Sequence, residues 1–279
     1  MGYQTADRIT CGEHLNASGT LPPSLQPVNK RIRLLNVDID SLSKEDFLHR
    51  LERGTVFTPN VDHLMKLRRD SDFRRAYQSA DYCICDSQIL LYASRFLGQP
   101  IEAKLSGSDL LPWFCEYHRD NPDIKIFMLG AKQGIAQRAQ QAINARVGRQ
   151  IIVDTYSPSF GFERNPQECE SIIEMIRASE ANVLVVGLGA PKQEKWIAQY
   201  KSQLPNINIF MAVGAAIDFE AGYKPRAPQF VSELGLEWLH RMMSEPKRLW
   251  RRYLFDDLPF IWLVLKEKLR PSPMPMDRP

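Results

Sequence analysis

The alternating run DYCICD (81–86) closes on Asp86, a carboxylate followed at once by Ser87 and Gln88. A carboxylate there is a general base if an acceptor hydroxyl comes within hydrogen-bond reach. It is equally a favoured N-cap for a helix over Gln88 to Leu97, and position alone leaves both roles open. A second group closes the run TVFTPN (55–60), where Thr58 and Asn60 offer small hydrogen-bonding side chains. A third is VLVVGLGAPKQEKW (183–196), which reads as strand, turn and helix start. Gly187 and Gly189 allow close backbone approach there, and the opening of a helix offers unpaired N–H groups and a positive dipole end, which suits a diphosphate. The loop lacks the third glycine of a dinucleotide fingerprint, an acidic residue ~20 positions on, and the GK[ST] of a P-loop. NAD binding and ATP hydrolysis are therefore disfavoured, and a plain strand–helix turn stands as the alternative to a diphosphate loop.

Two further residues complete this set. Asp218, at the end of NINIFMAVGAAID (206–218), can accept from a nucleobase N–H or a ribose, or close a turn before Gly222. His63 reads as structural. No His, Asp or Glu cluster has metal-ligand spacing and no DxD-like pair closes a strand, which disfavours a metal-dependent sugar transferase. Five cysteines form an odd set without a CxxC pair, so a zinc ribbon or disulfide framework is excluded and a reducing compartment is expected. Cys83 and Cys85 alternate along a strand as small buried hydrophobes.

The elements that must position these residues alternate. RIRLLNVDID (31–40) reads as a strand, and Ser43 with Asp46 opens a helix to about Arg53. Residues 55–60 form a strand, 61–80 a helix and 81–86 a strand; 124–130 form a strand, 131–148 a helix closing at Gly148, and 150–158 a strand carrying Tyr156. A helix over 165–180 has Asn165 as cap and Pro166 at its first position; strands at 182–189 and 206–218 flank a helix from about Pro191 to Lys201. Strands and helices at this spacing imply an α/β fold, a Rossmann-like mostly parallel sheet with helices on both faces. Ligands bind such sheets outside the carboxyl ends of the strands, where the residues above fall.

The rhythm stops after about Leu234. Residues 236–270 hold three of the five tryptophans, and 241–270 carry eight basic and four acidic side chains, which is more than the chain's whole net charge of +3. Arg241, Arg248 and Arg251 stand among Trp238, Leu239, Met242, Trp250 and Tyr253, a pattern that suits a helix in a membrane interface or one packed on the sheet or another subunit. The chain is thus expected to divide into a disordered leader (1–30), a Rossmann-like catalytic core (31–235), a basic, aromatic-rich membrane-docking appendage (236–270) and a flexible tail (271–279). With 279 residues, 44% hydrophobic and 25% charged, the chain is globular, and a charge so near balance excludes a dedicated nucleic-acid binder. The longest apolar run, Leu258 to Leu265, is far short of the ~18 residues of a spanning helix and contains Pro259.

The order and spacing of TPNVDHLMKLRRD (58–70), ADYCICDSQIL (80–90), LSGSDLLPWF (105–114), IFMLGAKQGIAQRA (126–139), VVGLGAPKQEKWI (185–197), VGAAIDFEAGYKPRAPQFV (213–231) and LGLEWLHRMMSEPKRLWRRYL (234–254) resemble the WecG/TagA/CpsF family of bacterial glycosyltransferases. The resemblance runs from about Arg31 to Arg270. It implies transfer of a sugar from a UDP-sugar to an undecaprenyl-diphosphate-linked sugar, with inversion and without a required metal or cofactor. The place implied is the cytoplasmic face of the inner (plasma) membrane, to which the enzyme is bound peripherally, in cell-surface or exopolysaccharide biosynthesis. Self-association is also implied. Asp86 matches the general base, Thr58 and Asn60 pocket residues beside it, and Gly187, Gly189 and Gln193 the loop near the donor diphosphate. Tyr156 and Asp218 fall near the nucleoside, and Arg241, Arg248 and Arg251 match appendage arginines that close over the phosphates. Two positions depart from the family pattern: Ser87 where members commonly have Gly, and Lys104 where they have Arg, which keeps the charge and loses the planar fork. The choice of sugars does not follow, although the long leader and the departures incline toward exopolysaccharide assembly. Two rival readings are a nucleotide-binding scaffold that has lost catalysis, which Asp86, Thr58, Asn60 and Gln193 oppose, and an oxidoreductase, which the incomplete glycine fingerprint opposes.

Overall fold

The structure, a computed structural model, describes residues 30–226, Leu239, Met242, Met243, Trp250 and 257–269. The expected leader up to residue 29, the tail beyond 269, and Arg241, Arg248 and Arg251 lie outside the described residues.

Residues 31–40 form a hairpin where a single strand was expected: β1 (Arg31–Leu34) pairs antiparallel with β2 (Val37–Asp40). The reason is parity. Ile32, Leu34, Val37 and Ile39 are all buried in one cluster, but residues 34 and 37 would face opposite sides of a straight strand. A turn at Leu35, whose φ of 55° is left-handed, restores one face. The N-cap expected at Ser43 is present, its hydroxyl accepting from the Asp46 N–H at the start of α1 (Lys44–Arg50).

β3 (Gly54–Phe57) comes next, then two helices where one was expected over 61–80: α2 (Val61–Leu67) and α3 (Ser71–Gln78). The break falls at Asp70, whose carboxylate accepts from the Phe73 N–H at 3.0 Å and receives Lys195 Nζ at 2.6 Å. A side chain that satisfies a new helix start competes with continuing the old one. The strand expected at 81–86 is regular only over β4 (Tyr82–Cys83), but its hydrogen bonding to the β3 line continues through Ile84 N to Phe57 O and Asp86 N to Pro59 O, both 3.0 Å.

The remaining elements are α4 (Gln88–Phe96), α5 (Gly107–Tyr117), β5 (Ile126–Gly130), α6 (Ile135–Val147), β6 (Ile152–Tyr156), α7 (Pro166–Ala178), β7 (Val183–Gly187), α8 (Lys192–Tyr200), β8 (Ile209–Ala212), α9 (Ala216–Glu220) and α10 (Pro259–Lys268). Asn165 caps α7 with Pro166 at its first turn, as expected. Six strands make a parallel sheet in the order β4-β3-β8-β7-β5-β6. Alternation along its strands divides the core in two. Phe127, Leu129, Leu184, Val186, Phe210 and Ala212 face a cluster with α2, α3, α4, α7, α8, α10 and the hairpin. Ile126, Met128, Val183, Val185, Ile209 and Met211 face a cluster with α1, α5, α6 and α9. The fold is α/β and Rossmann-like, with helices on both faces and a helix near the C-terminus.

Two features set up the site. First, the chain leaves β5 toward β6 on one side and β7 toward β8 on the other, so the crossovers diverge between β5 and β7, a crevice where such sheets bind ligands. Secondly, Asp40 anchors the edge that carries Asp86. Its buried carboxylate accepts from Cys83 N at 2.8 Å and from Arg31 Nε at 2.9 Å. Replacing Asp40 by Ala strands the Cys83 N–H away from water, whereas Arg31, half exposed, is resolvated. Asp40→Ala is expected to lower stability by ~1–3 kcal/mol in urea unfolding. A variant as stable as the wild type would show that the hairpin does not hold β4.

Candidate active site

Three loops meet at the carboxyl ends of β3 and β4. The Asp86 N–H bonds to Pro59 O, so the half-buried Asp86 is fixed beside the Thr58–Asn60 loop. The N-cap of α4 is Ser87, whose hydroxyl accepts from Leu90 N at 3.4 Å, and the capping role left open for Asp86 is thereby taken by its neighbour. Asn60 proves to be a cap itself, its Oδ1 accepting from His63 N at 3.2 Å to start α2. His63 is structural, as expected: it is buried, with Nδ1 at 2.6 Å from Tyr77 OH. Thr58 is buried beneath the N-terminus of α5, where a Cβ on Gly107 would lie 2.9 Å from Thr58 Oγ1. Lys104 arrives by a backbone pin, Leu105 N to Cys85 O at 2.8 Å, which sets its segment against Cys85 and Asp86. Burial pushes the Cys83 and Cys85 thiols up to about 12, so both stay neutral and serve as packing atoms.

The central strands end in glycine. A Cβ on Gly130 would overlap the carbonyl of its partner Gly187, and one on Gly187 would lie 2.9 Å from Gly214 O and 2.8 Å from Ile217 Cδ1. Gly189 turns the chain at φ 77°. Gln193, buried in the first turn of α8, braces these loops: its Oε1 accepts from Gly189 N at 3.2 Å and from Gly214 N at 3.1 Å, and its Nε2 donates to Glu194 Oε1 at 2.8 Å. Both ends of this amide are engaged inside the protein, and the Gly189 N–H is already bound. Gln193 therefore shapes the floor of the crevice.

Tyr156 and Asp218 border the same crevice from farther out. Tyr156 ends β6, and the next residue, Ser157, donates to Gly130 O at 3.1 Å and Lys132 O at 3.2 Å. Asp218 is in the helix α9, where a strand end was expected, because the chain turns at Gly214 directly after β8. Its carboxylate pairs with Lys224 Nζ at 3.3 Å. Lys132, which the sequence reading passed over, reaches Tyr223 OH at 3.0 Å and supplies positive charge at the end of β5. Arg226 clamps the last residues of the continuous described stretch to the opening of α5, through Asp109 Oδ1 at 2.8 Å and Ser108 O at 2.5 Å, and to the end of α9 through Glu220 Oε1 at 3.3 Å. The expected residues thus fall into one group at β3 and β4 (Thr58, Asn60, Asp86, Lys104) and one at β5 to β8 (Gly187, Gly189, Gln193, Tyr156, Asp218), side by side because β3 adjoins β8.

The profile of the Glycosyl transferase WecG/TagA/CpsF family matches residues 32–273. The chain belongs to that family. It is 29% identical over 252 residues to the N-acetylglucosaminyldiphosphoundecaprenol N-acetyl-beta-D-mannosaminyltransferases of Staphylococcus aureus strains MW2, NCTC 8325 and COL, covering 85% of this chain and 93% of each relative.

In this glycosyltransferase the brace rests on a group that the sequence reading missed. Glu194 is wholly buried, its Oε2 has no hydrogen-bond partner among the described residues, and desolvation raises its pKa from 4.5 to about 7 despite the bond from Gln193. Around it stand Asp62 and Lys66 of α2, themselves paired at 2.6 Å, and Tyr77 of α3, whose own pKa burial and Glu194 push well up. The available signal was helical phase, since Glu194 precedes the buried Ile197 by three positions. Because the folded chain keeps this proton to higher pH than the unfolded chain, stability falls as pH rises from 4.5 to about 7 and is level above. Glu194→Gln keeps an acceptor for Gln193 and removes the titration. Its melting temperature is expected to exceed the wild type's by a margin that widens between about pH 5 and about pH 8, worth at most about 3 kcal/mol. A margin independent of pH would mean that Glu194 is ionised in the fold throughout.

Proposed function

We propose that the protein transfers a sugar from a UDP-sugar to a saccharide carried on undecaprenyl diphosphate, in one inverting displacement with Asp86 as general base. The observation that carries this reading is the placement of Asp86: half-buried, pinned by its backbone to the Thr58–Asn60 loop, with the cap of α4 supplied by Ser87. A carboxylate so placed takes the proton of the acceptor hydroxyl as its oxygen attacks the anomeric carbon, and the bond to UDP breaks on the opposite face of the sugar. Thr58, Asn60 and Lys104 line the reacting end, and the glycine floor braced by Gln193 underlies the donor diphosphate. Tyr156 and Asp218 lie on the nucleoside side, where Lys132 adds charge. Arg241, Arg248 and Arg251 would close over the phosphates and stabilise the leaving UDP by bidentate contacts, without need of a metal.

The acceptor class comes from the relatives, whose names specify N-acetylglucosaminyldiphosphoundecaprenol. Among the described residues, no three His, Cys, Asp or Glu side chains group as metal ligands. No described helix is long and apolar enough to cross a membrane; in this reading the enzyme meets its lipid-borne acceptor peripherally, at the cytoplasmic surface.

The test is transfer from a panel of radiolabelled UDP-sugars, UDP-N-acetylmannosamine among them, into lipid extracts, with Asp86→Asn alongside. The amide cannot take the proton, so transfer is expected to fall ~10²–10⁴-fold while UDP binding stays within about twofold by calorimetry. An Asp86→Asn protein of near wild-type activity would remove the base assignment, and absence of transfer from every donor would remove the reaction.

A further inference from the structure

Two helices expose apolar stripes at helical spacing. On α4, Leu90, Leu91 and Ala93 are buried, while Ile89, Tyr92 and Phe96, spaced three and four apart, are 36%, 47% and 48% exposed. On α10, Phe260 and Val264 are buried in the cluster that includes α2, while Ile261, Trp262, Leu265 and Leu269 face outward, Trp262 at 60%. The two stripes are joined, since Lys268 Nζ of α10 lies 5.5 Å from the centroid of the Phe96 ring at the end of α4. Scattered exposed apolar residues need no explanation, but two aligned stripes meeting edge to edge do.

The charges around this surface point to its occupant. Lys266 stands over Trp262 at 5.0 Å and Lys268 over Phe96, and Arg95 is exposed beside Phe96. Glu267 is the one acidic side chain of α10 and α4 has none. Lysines are depleted from the cores of protein–protein interfaces, whereas ammonium groups over aromatic rings suit the headgroup region, with the rings below and the charge on lipid phosphate. Docking of the C-terminal segment, α10 included, on a membrane is what the family resemblance implies; we infer that the outer face of α4 extends that surface, so that the two stripes seat together in the interface of an anionic bilayer. The core thus supplies part of the docking surface itself, on the helix that begins directly after Asp86. The inference extends the reading that the acceptor is lipid-borne, and it places the base within a few residues of the lipid-facing stripe.

The experiment is co-sedimentation of the full-length protein with vesicles of phosphatidylglycerol and of phosphatidylcholine. The variants are the triple Ile89→Ser/Tyr92→Ser/Phe96→Ser and, farther from Asp86, the double Tyr92→Ser/Phe96→Ser. These side chains are exposed, so both variants should unfold at the wild-type temperature. The wild type is expected to prefer phosphatidylglycerol, and the triple variant to partition on the order of tenfold less, the double variant falling between. Three results would overturn the inference: no wild-type binding to either vesicle, variants that sediment like the wild type, or variants that lose only a wild-type dimer in solution, which would assign the surface to a second copy. Transfer to a short-chain, water-soluble acceptor separates this from the catalytic reading. The double variant should retain it, and Asp86→Asn should not.

Discussion

Everything at the carboxyl end of this sheet depends on the approach of two backbones, those of Gly130 and Gly187, at a distance that admits no side chain. Because β5 and β7 end so close together, the loops after them must turn away sharply, one toward α6 and the other toward α8 on the opposite face. Gly214, at the end of β8, completes the row, and its carbonyl leaves no room for a Cβ on Gly187. Such a row has backbone polarity and no side chains of its own, so something else must hold it in shape. That is the function of Gln193, which binds two of the loops with one carbonyl oxygen. The brace in turn commits the next residue, Glu194, to the interior, where its carboxyl is costly to ionise. A packing constraint in the sheet is thereby converted into an electrostatic one in the helix layer.

The other half of the site is built on a different logic. Asn60 and Asp86 are held by hydrogen bonds that also end strands and start helices, and Thr58 by packing against Gly107: Asn60 caps α2, Ser87 caps α4, and the Asp86 N–H extends the strand pairing beyond β4. The anchor of this half is remote. Asp40 ties the hairpin to β4 from beneath, so the position of Asp86 is set by a residue far from it in the chain. Side chains placed by the same bonds that terminate secondary structure are held in position without a dedicated support.

How much of the molecule was readable from its sequence depended on whether the signal was periodic or a matter of single residues. The strand–helix rhythm, the cap at Asn165 with Pro166, the cap at Ser43 and the buried cysteines were legible because each rests on local pattern. The hairpin at 31–40 was legible in principle, since the apolar parity changes between Leu34 and Val37, but a count of alternating residues alone conceals it. The division of 61–80 was hidden because Asp70 acts through Phe73 and through Lys195, a partner 125 residues away. Asp86 and Ser87 are both good caps, and only the register of α4 decides between them. Glu194 was passed over because a charged residue is ordinarily on the surface, and only the buried face of α8 shows otherwise.

Arg226 fixes the point from which the C-terminal part of the chain departs. Its guanidinium is bound to three acceptors, two of them at the start of α5, next to the glycine that abuts Thr58, so the polypeptide leaves from a position beside the reacting end. Arg241 comes fifteen residues later, which limits its reach to about 50 Å even for a fully extended chain. Contour length alone therefore bounds where Arg241 can lie, and that bound includes the carboxyl ends of β3 and β4.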